Sequence, residues 1–140
     1  MQLDPSDPTR WLPHRKPFLF LDRIAHVVPG REATAWKRIV DSECRGVAQW
    51  PRAYLVEMMA QTSAILLFSE EEGRRGRMGV LAAVPALSFR RSACPGETVV
   101  ATARLEKRWG NLARFKVAAH VEGELAAEGA LVLAAREGVI

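Results

Sequence analysis

The apolar residues of this chain are most concentrated between residues 49 and 68, QWPRAYLVEMMAQTSAILLF. Placed on a helix at about 100° per residue, they cover nearly the whole circumference, and Glu57 is the only acidic side chain among them. Pro51 suits a first helical turn, because the N–H that proline lacks has no partner there, and no glycine or further proline follows before Gly73. The pattern therefore predicts one long helix that the rest of the fold surrounds.

Strands are predicted on both sides of this helix. Residues 1–10 contain two Asp-Pro pairs and are expected to form an irregular lead-in. A first strand is predicted from Phe18, and Pro29-Gly30 turns the chain into a second. Pro85 predicts a bulge or a sheet edge in the strand that follows the helix. Apolar runs or alternation, bounded by turns, indicate four later strands, at residues 78–89, 98–109, 112–122 and 124–135.

Two strands, one helix and four strands, in that order, indicate an α+β domain in which one antiparallel sheet curls around the helix. With 140 residues the chain is expected to form a single domain, residues 1–140. Such a sheet has open edges, and pairing with a second copy is the expected way to protect them.

Composition narrows the possible partners. The net charge of +4 is spread without a long basic block, so nucleic-acid binding is not expected, whereas an acidic protein or a phosphate-bearing ligand would fit. Cys44 and Cys94 are far apart and are expected to be reduced thiols, and no residues show the spacing of a metal site. Neither a signal peptide nor a membrane span is predicted, so a cytoplasmic location is expected.

Glu57 is the main candidate for chemistry. It shares a narrow strip of the helix with Tyr54, Gln61, Ala64 and Phe68, and no lysine or arginine lies three or four positions away to pair with it. One interpretation is a solvent-facing glutamate beside a polar glutamine. The other is a carboxyl held among aromatic rings, whose pKa should be raised and which could act as a general acid or base.

Four segments of this sequence, in order, resemble one known family: LPHRKPFLFLDRI at 12–24, LVEMMAQ at 55–61, FRRSACPGE at 89–97 and RFKVAAHVEGELAAEGAL at 114–131. This pattern is similar to that of the beta-hydroxyacyl-acyl-carrier-protein dehydratases, which have the hot-dog fold. The resemblance implies a homodimer with acyl tunnels at the subunit interface. It also implies a substrate thioester carried on the phosphopantetheine arm of acyl carrier protein, with no other cofactor.

In that family two residues from opposite subunits dehydrate the substrate. A histidine in a Gly-His-Phe-Pro segment removes the α-proton, and a glutamate of the central helix protonates the leaving hydroxyl. Glu57 matches the glutamate, and Gln61 matches the glutamine four residues later. Gln49, beside Trp50, occupies the position of the histidine in one register, and Glu43 lies near it in another. Neither side chain supplies an imidazole, and glutamine cannot accept a proton at neutral pH.

The resemblance implies further substrate contacts. His14 lies in the LPHR motif, a structural and tunnel-lining segment in the family, and it is the only one of the three histidines that is a candidate for a substitute base. The family has glycine where this chain has Arg52, so the N–H groups of Arg52 and Ala53 would face the thioester oxygen in a more crowded site. The expected substrate-binding residues are Gln49, Trp50, Arg52, Ala53, Gln61 and His14.

Basic residues indicate where an acidic carrier protein would dock. Arg90 and Arg91 lie in the motif that resembles the carrier-binding edge of the family, and Arg74, Arg75 and Arg77 could add to it or serve only solubility.

Three functions remain open from the sequence. The first is a dehydratase-like protein of fatty acid or polyketide-type synthesis, for example of aryl polyenes, with Glu57 as acid and an unrecognised base. The second is a non-catalytic subunit that pairs with an active relative, as a homodimer or heterodimer. The third is an acyl thioesterase that uses Glu57 as base or nucleophile.

Overall fold

The computed structural model describes residues 4–44, 48–70 and 77–137. Short 3₁₀ turns occupy Pro8–Arg10 and Asp41–Cys44. The main elements, in chain order, are β1 (Arg23–Val28), β2 (Glu32–Arg38), α1 (Arg52–Leu67), β3 (Arg77–Phe89), β4 (Thr98–Trp109), β5 (Leu112–Val121) and β6 (Glu124–Glu137).

The six described strands form one antiparallel sheet in the order β1-β2-β4-β5-β6-β3. The sheet packs against α1, which contacts every strand from β2 to β6. Small side chains such as Ala101 and Ala103 of β4 alternate with more exposed ones and are fully buried, and Phe115 and Val117 of β5 repeat the pattern. The prediction of an antiparallel sheet around a central helix is confirmed.

Helix α1 begins at Arg52 and ends at Leu67, slightly inside the predicted bounds. Every residue from Met58 to Leu67 is buried, as expected for a helix that is apolar on all sides. The hydroxyls of Thr62 and Ser63 are satisfied inside the helix, because each donates at 2.9 Å to the carbonyl four residues earlier. Polar atoms in this buried stretch therefore have partners.

The predicted start of the first strand was wrong. Strand β1 begins at Arg23 rather than at Phe18. The main chain of Phe18 and Phe20 is hydrogen-bonded instead to the side chain of Gln61 on α1. The segment before β1 is therefore held against the helix, because a side-chain amide supplies the hydrogen bonds that a neighbouring strand would supply in a sheet.

Strand β3 lies at one edge of the described sheet, and β1 lies at the other. The register of β3 with β6 shifts twice, between Leu81 and Ala83 and between Ala83 and Ala86. The expectation of a bulge or an edge near Pro85 is therefore confirmed. Leu81 and Val84 are 38% and 43% exposed. The strand contains no charged residue after Arg77, which leaves a long apolar edge.

At Gly129 of β6 the backbone of β3 approaches closely. A Cβ atom at this position would overlap the carbonyl group of Ala86 and lie 2.8 Å from the Cα atom of Leu87. Both are backbone groups, so neither can rotate away. The close pairing of β3 with β6 thus depends on a residue without a side chain.

We expect Gly129→Ala to lower the free energy of unfolding by about 1–3 kcal/mol, because β3 must move away from β6 to admit the methyl group. Urea unfolding followed by circular dichroism measures this change. Ser88→Ala, on the facing strand, is the control and should alter stability little, since Ser88 is exposed. Equal stability of both variants would show that β3 is not held at the observed distance.

Candidate active site

Gln61 connects α1 to the segment that precedes β1. Its side chain is buried, and its Oε1 atom accepts the N–H of Phe20 at 2.9 Å. Its Nε2 atom donates to the carbonyl of Phe18 at 2.9 Å and to Oε1 of Glu57 at 3.0 Å. Since the Phe20 N–H must meet an oxygen, the orientation of the amide is set, and Glu57 receives a donor.

His14 approaches the same carboxylate from the N-terminal segment. Its Nε2 atom lies 3.3 Å from Oε1 of Glu57, and the two side chains are 26% and 38% exposed respectively. Its Nδ1 atom is buried and has no hydrogen-bond partner among the described residues. The structure therefore brings together three of the predicted site residues, His14, Glu57 and Gln61, although His14 is distant from the other two in sequence.

The expectation of a raised pKa for Glu57 was wrong. Burial does act to raise the pKa of this carboxyl, as the aromatic surroundings predicted. Hydrogen bonds from His14 and Gln61, and the attraction of the His14 ring, outweigh burial and leave the pKa of Glu57 below its usual value. The sequence shows no cation on the helix near Glu57, so only the folded chain reveals these donors.

An aromatic cluster lies beside the start of α1. The rings of Phe20 and Tyr54 stack at 4.8 Å, and Trp50 packs edge-on against both, at 5.7 and 5.6 Å. Trp50 is buried, and its main-chain N–H donates to the carbonyl of Ala93 at 2.7 Å. Trp50, predicted to contact substrate, is thus part of the core that sets the position of the helix start.

The first turn of α1 is open. Pro51 precedes the helix without a side-chain cap, and Arg52 and Ala53 are both exposed. The Arg52 guanidinium lies 5.3 Å from the ring centre of Phe89. Gln49 is exposed just before this turn. N–H groups at a helix start attract negative charge, so this turn is suited to a polarised carbonyl oxygen.

Arg90 and Arg91 differ in their surroundings. The guanidinium of Arg91 pairs with Glu97 and donates to the carbonyl of Val121, and its contact with Glu97 raises its pKa. The side chain of Arg90 is 63% exposed and lies 3.6 Å from Glu128. Arg91 is therefore engaged within the fold, whereas Arg90 can meet a partner.

The other arginines predicted as possible docking residues are Arg74, Arg75 and Arg77. Arg77 lies over the ring of Phe68 at 5.5 Å. Arg74 and Arg75 lie outside the described residues.

Within residues 4–44, 48–70 and 77–137, no group of histidine, cysteine, aspartate and glutamate side chains is arranged to hold a metal ion. None of the helices in these ranges is long and apolar enough to cross a membrane.

Known proteins resemble this chain over almost its whole length. Residues 6–137 match the ApeP-like family, described as ApeP dehydratase. The chain is 34% identical over 131 residues to the 3-hydroxyacyl-[acyl-carrier-protein] dehydratase FabZ of Polynucleobacter asymbioticus, covering 89% of this chain and 87% of that protein.

Two solved structures resemble the fold. The dehydratase heterocomplex ApeI:P from Xenorhabdus doucetiae has a TM-score of 0.78 at 18% identity, over 91% of this chain and 89% of that chain. A hypothetical thioesterase from Streptococcus pneumoniae, solved with coenzyme A, has a TM-score of 0.66 at 11% identity, over 83% and 87% respectively.

The sheet wrapped around α1 is the hot-dog fold, which the solved structure of ApeI:P shares. The family match over almost the whole chain shows that this chain belongs to the ApeP-like family of dehydratases, and FabZ proteins are its relatives.

We expect Gln61→Met to lower the free energy of unfolding by about 1–3 kcal/mol, because the methionine side chain keeps the volume but leaves the Phe18 carbonyl and the Phe20 N–H without their partner. Chemical denaturation measures the loss. Gln49→Met is the matched control, and its exposed position should make it nearly neutral. A neutral Gln61→Met would show that the amide does not hold the N-terminal segment.

Proposed function

We propose that this protein dehydrates 3-hydroxyacyl thioesters carried on the phosphopantetheine arm of acyl carrier protein, releasing a 2-enoyl thioester and water. The contact of His14 with Glu57, 3.3 Å apart on an otherwise apolar helix, is the main support for this function. Dehydration needs a group that removes the α-proton and a source of a proton for the leaving hydroxyl. Glu57 supplies a carboxylate that can exchange protons, and its contact with His14 fixes that carboxylate in place.

The surroundings of the pair support thioester chemistry. The open first turn of α1 lies less than two helical turns before Glu57 and presents the N–H groups of Arg52 and Ala53. Negative charge that develops on the thioester oxygen during α-proton removal is stabilised by such N–H groups. The reaction moves only protons and a hydroxyl group, so we propose that it needs no cofactor beyond the carrier arm.

We further propose that the protein works as a dimer, with itself or with a related hot-dog chain. The edge strand β3, which is exposed along its middle and has no charged residue after Arg77, offers main-chain groups and apolar side chains to a second sheet. The structural neighbour ApeI:P is described as a dehydratase heterocomplex. Membership of the ApeP-like family favours a specialised pathway such as aryl polyene synthesis, alongside the fatty acid pathway of the FabZ relatives.

The decisive assay follows enoyl product and free thiol from a 3-hydroxyacyl thioester on acyl carrier protein. We expect enoyl product with the unaltered chain, and a rate about 10²- to 10⁴-fold lower with Glu57→Gln, which cannot exchange a proton. Because the proposed dimer forms either with a second copy or with a related chain, the assay is run on the chain alone and with a co-expressed related subunit.

The two alternative functions give different results in this assay. Free thiol that depends on Glu57 would identify a thioesterase, a class represented among the structural neighbours. No product from the chain alone, together with activity of the partner that survives Glu57→Gln, would identify a non-catalytic subunit.

Docking of the carrier protein is tested at Arg90. We expect Arg90→Glu to weaken binding of acyl carrier protein about fivefold or more at low ionic strength, and less as added salt screens the attraction. Arg104→Glu is the matched control, because Arg104 is similarly exposed, at 70%, and also pairs with a glutamate. Equal binding by both variants in a low-salt titration would place the docking surface elsewhere.

A further inference from the structure

We propose that Glu57 itself both removes the α-proton and returns it to the leaving hydroxyl, and that His14 is a positioning residue that holds one oxygen of the carboxylate. These roles rest on the proposed dehydratase function. They differ from the roles that the family resemblance implies, in which a histidine is the base and the glutamate is only the acid.

The two carboxylate oxygens of Glu57 have different surroundings. Oε1 is contacted by Nε2 of Gln61 at 3.0 Å and by Nε2 of His14 at 3.3 Å. The Gln61 amide nitrogen can only donate, so Oε1 acts as an acceptor. Oε2 has no hydrogen-bond partner in the described part of the chain, and Glu57 remains 38% exposed. Oε2 is therefore the oxygen that can meet a substrate.

The surroundings of His14 determine where its ring proton lies. If Nε2 carries the ring proton, it donates to Glu57 and Nδ1 is left without a proton. A charged ring would also place an N–H on Nδ1, which is buried and has no acceptor among the described residues. With its proton on Nε2, the ring acts as a donor to Glu57. In that state its only free lone pair is buried, and the ring is poorly placed to take or give a proton in the reaction.

The charges around Glu57 favour its ionised form. Within the described residues, His14 is the titratable side chain that acts on Glu57, and no ionisable group of the strands that pack on α1 joins it. Donors from His14 and Gln61 lower the pKa of Glu57 despite burial. Glu57 therefore rests as a carboxylate, which is the form that a base requires.

The proposed step balances with one carboxylate. Oε2 takes the α-proton, and the electrons of that C–H bond form the new carbon–carbon double bond. The C–O bond at the β-carbon breaks, and the hydroxyl leaves as water with the proton that Glu57 returns. Glu57 is again a carboxylate, and no oxidant, reductant or other reactant is needed. The α-proton and the hydroxyl must leave from one face, because one carboxylate serves both.

A pair of variants separates positioning from proton transfer. His14→Ala removes the donor, and His14→Gln replaces it with an amide N–H at a similar distance from the backbone. We expect His14→Ala to lower kcat/KM by about tenfold to a hundredfold, as for loss of one hydrogen bond to a charged group. We expect His14→Gln to restore most of the activity, although its amide cannot exchange a proton.

The pH profile supplies a second readout. With Glu57 as base, kcat/KM should fall as the pH drops through the pKa of this carboxyl, because protonation removes the reactive form. Loss of the His14 donor should move that decline to higher pH, and His14→Gln should move it back. NMR titration of ¹³C-labelled glutamate follows the same carboxyl without turnover and should show the same order.

His26→Ala is the matched control, because His26 contacts Glu32 at 3.5 Å on the surface and away from this site. It should leave both the rate and the pH profile unchanged. If the unaltered chain is active and His14→Gln is as inactive as Glu57→Gln, His14 transfers a proton. That result would overturn the roles proposed here for Glu57 and His14 but not the proposed dehydratase function. No turnover by the unaltered chain with or without a related subunit would overturn the proposed function instead.

Discussion

The buried amide of Gln61 joins the central helix to the segment that precedes the first strand. It satisfies the main chain of Phe18 and Phe20 and, with its remaining N–H, the carboxylate of Glu57. All three contacts depend on one side chain, so the position of the N-terminal segment and the charge state of the glutamate are linked. His14 belongs to that segment, and it reaches Glu57 only because the segment lies across the helix.

This arrangement explains how an apolar helix carries a carboxylate. A charged group loses hydration when it is partly buried, and the loss must be offset by hydrogen bonds. In this protein two donors, from His14 and Gln61, meet one oxygen and leave the other available, so the carboxylate is stabilised without an arginine or lysine partner on the helix. A full ion pair would occupy the glutamate more completely and would leave less of it for a substrate.

The rest of the fold positions His14 and Glu57. Small residues in β4 allow the helix to lie close to the sheet, and the rings of Phe20, Trp50 and Tyr54 determine where the helix begins. The apolar edge at β3 is outside this arrangement, and it is the part of the molecule best suited to another chain. The proposed catalytic residues and the proposed assembly edge thus lie on different elements.

The sequence by itself determined the elements of the architecture, because periodicity, prolines and glycines act locally: one mostly apolar helix, six strands in the observed chain order and a bulge or an edge near Pro85 were predicted. It also identified Glu57 and Gln61, which are one turn apart on the same helix. Only the tertiary structure decided that His14 meets Glu57, that the pKa of Glu57 falls rather than rises, and that Trp50 and Arg91 are engaged within the fold. Such contacts join residues far apart in the chain, and side-chain direction across a packed interface is not encoded in any local pattern.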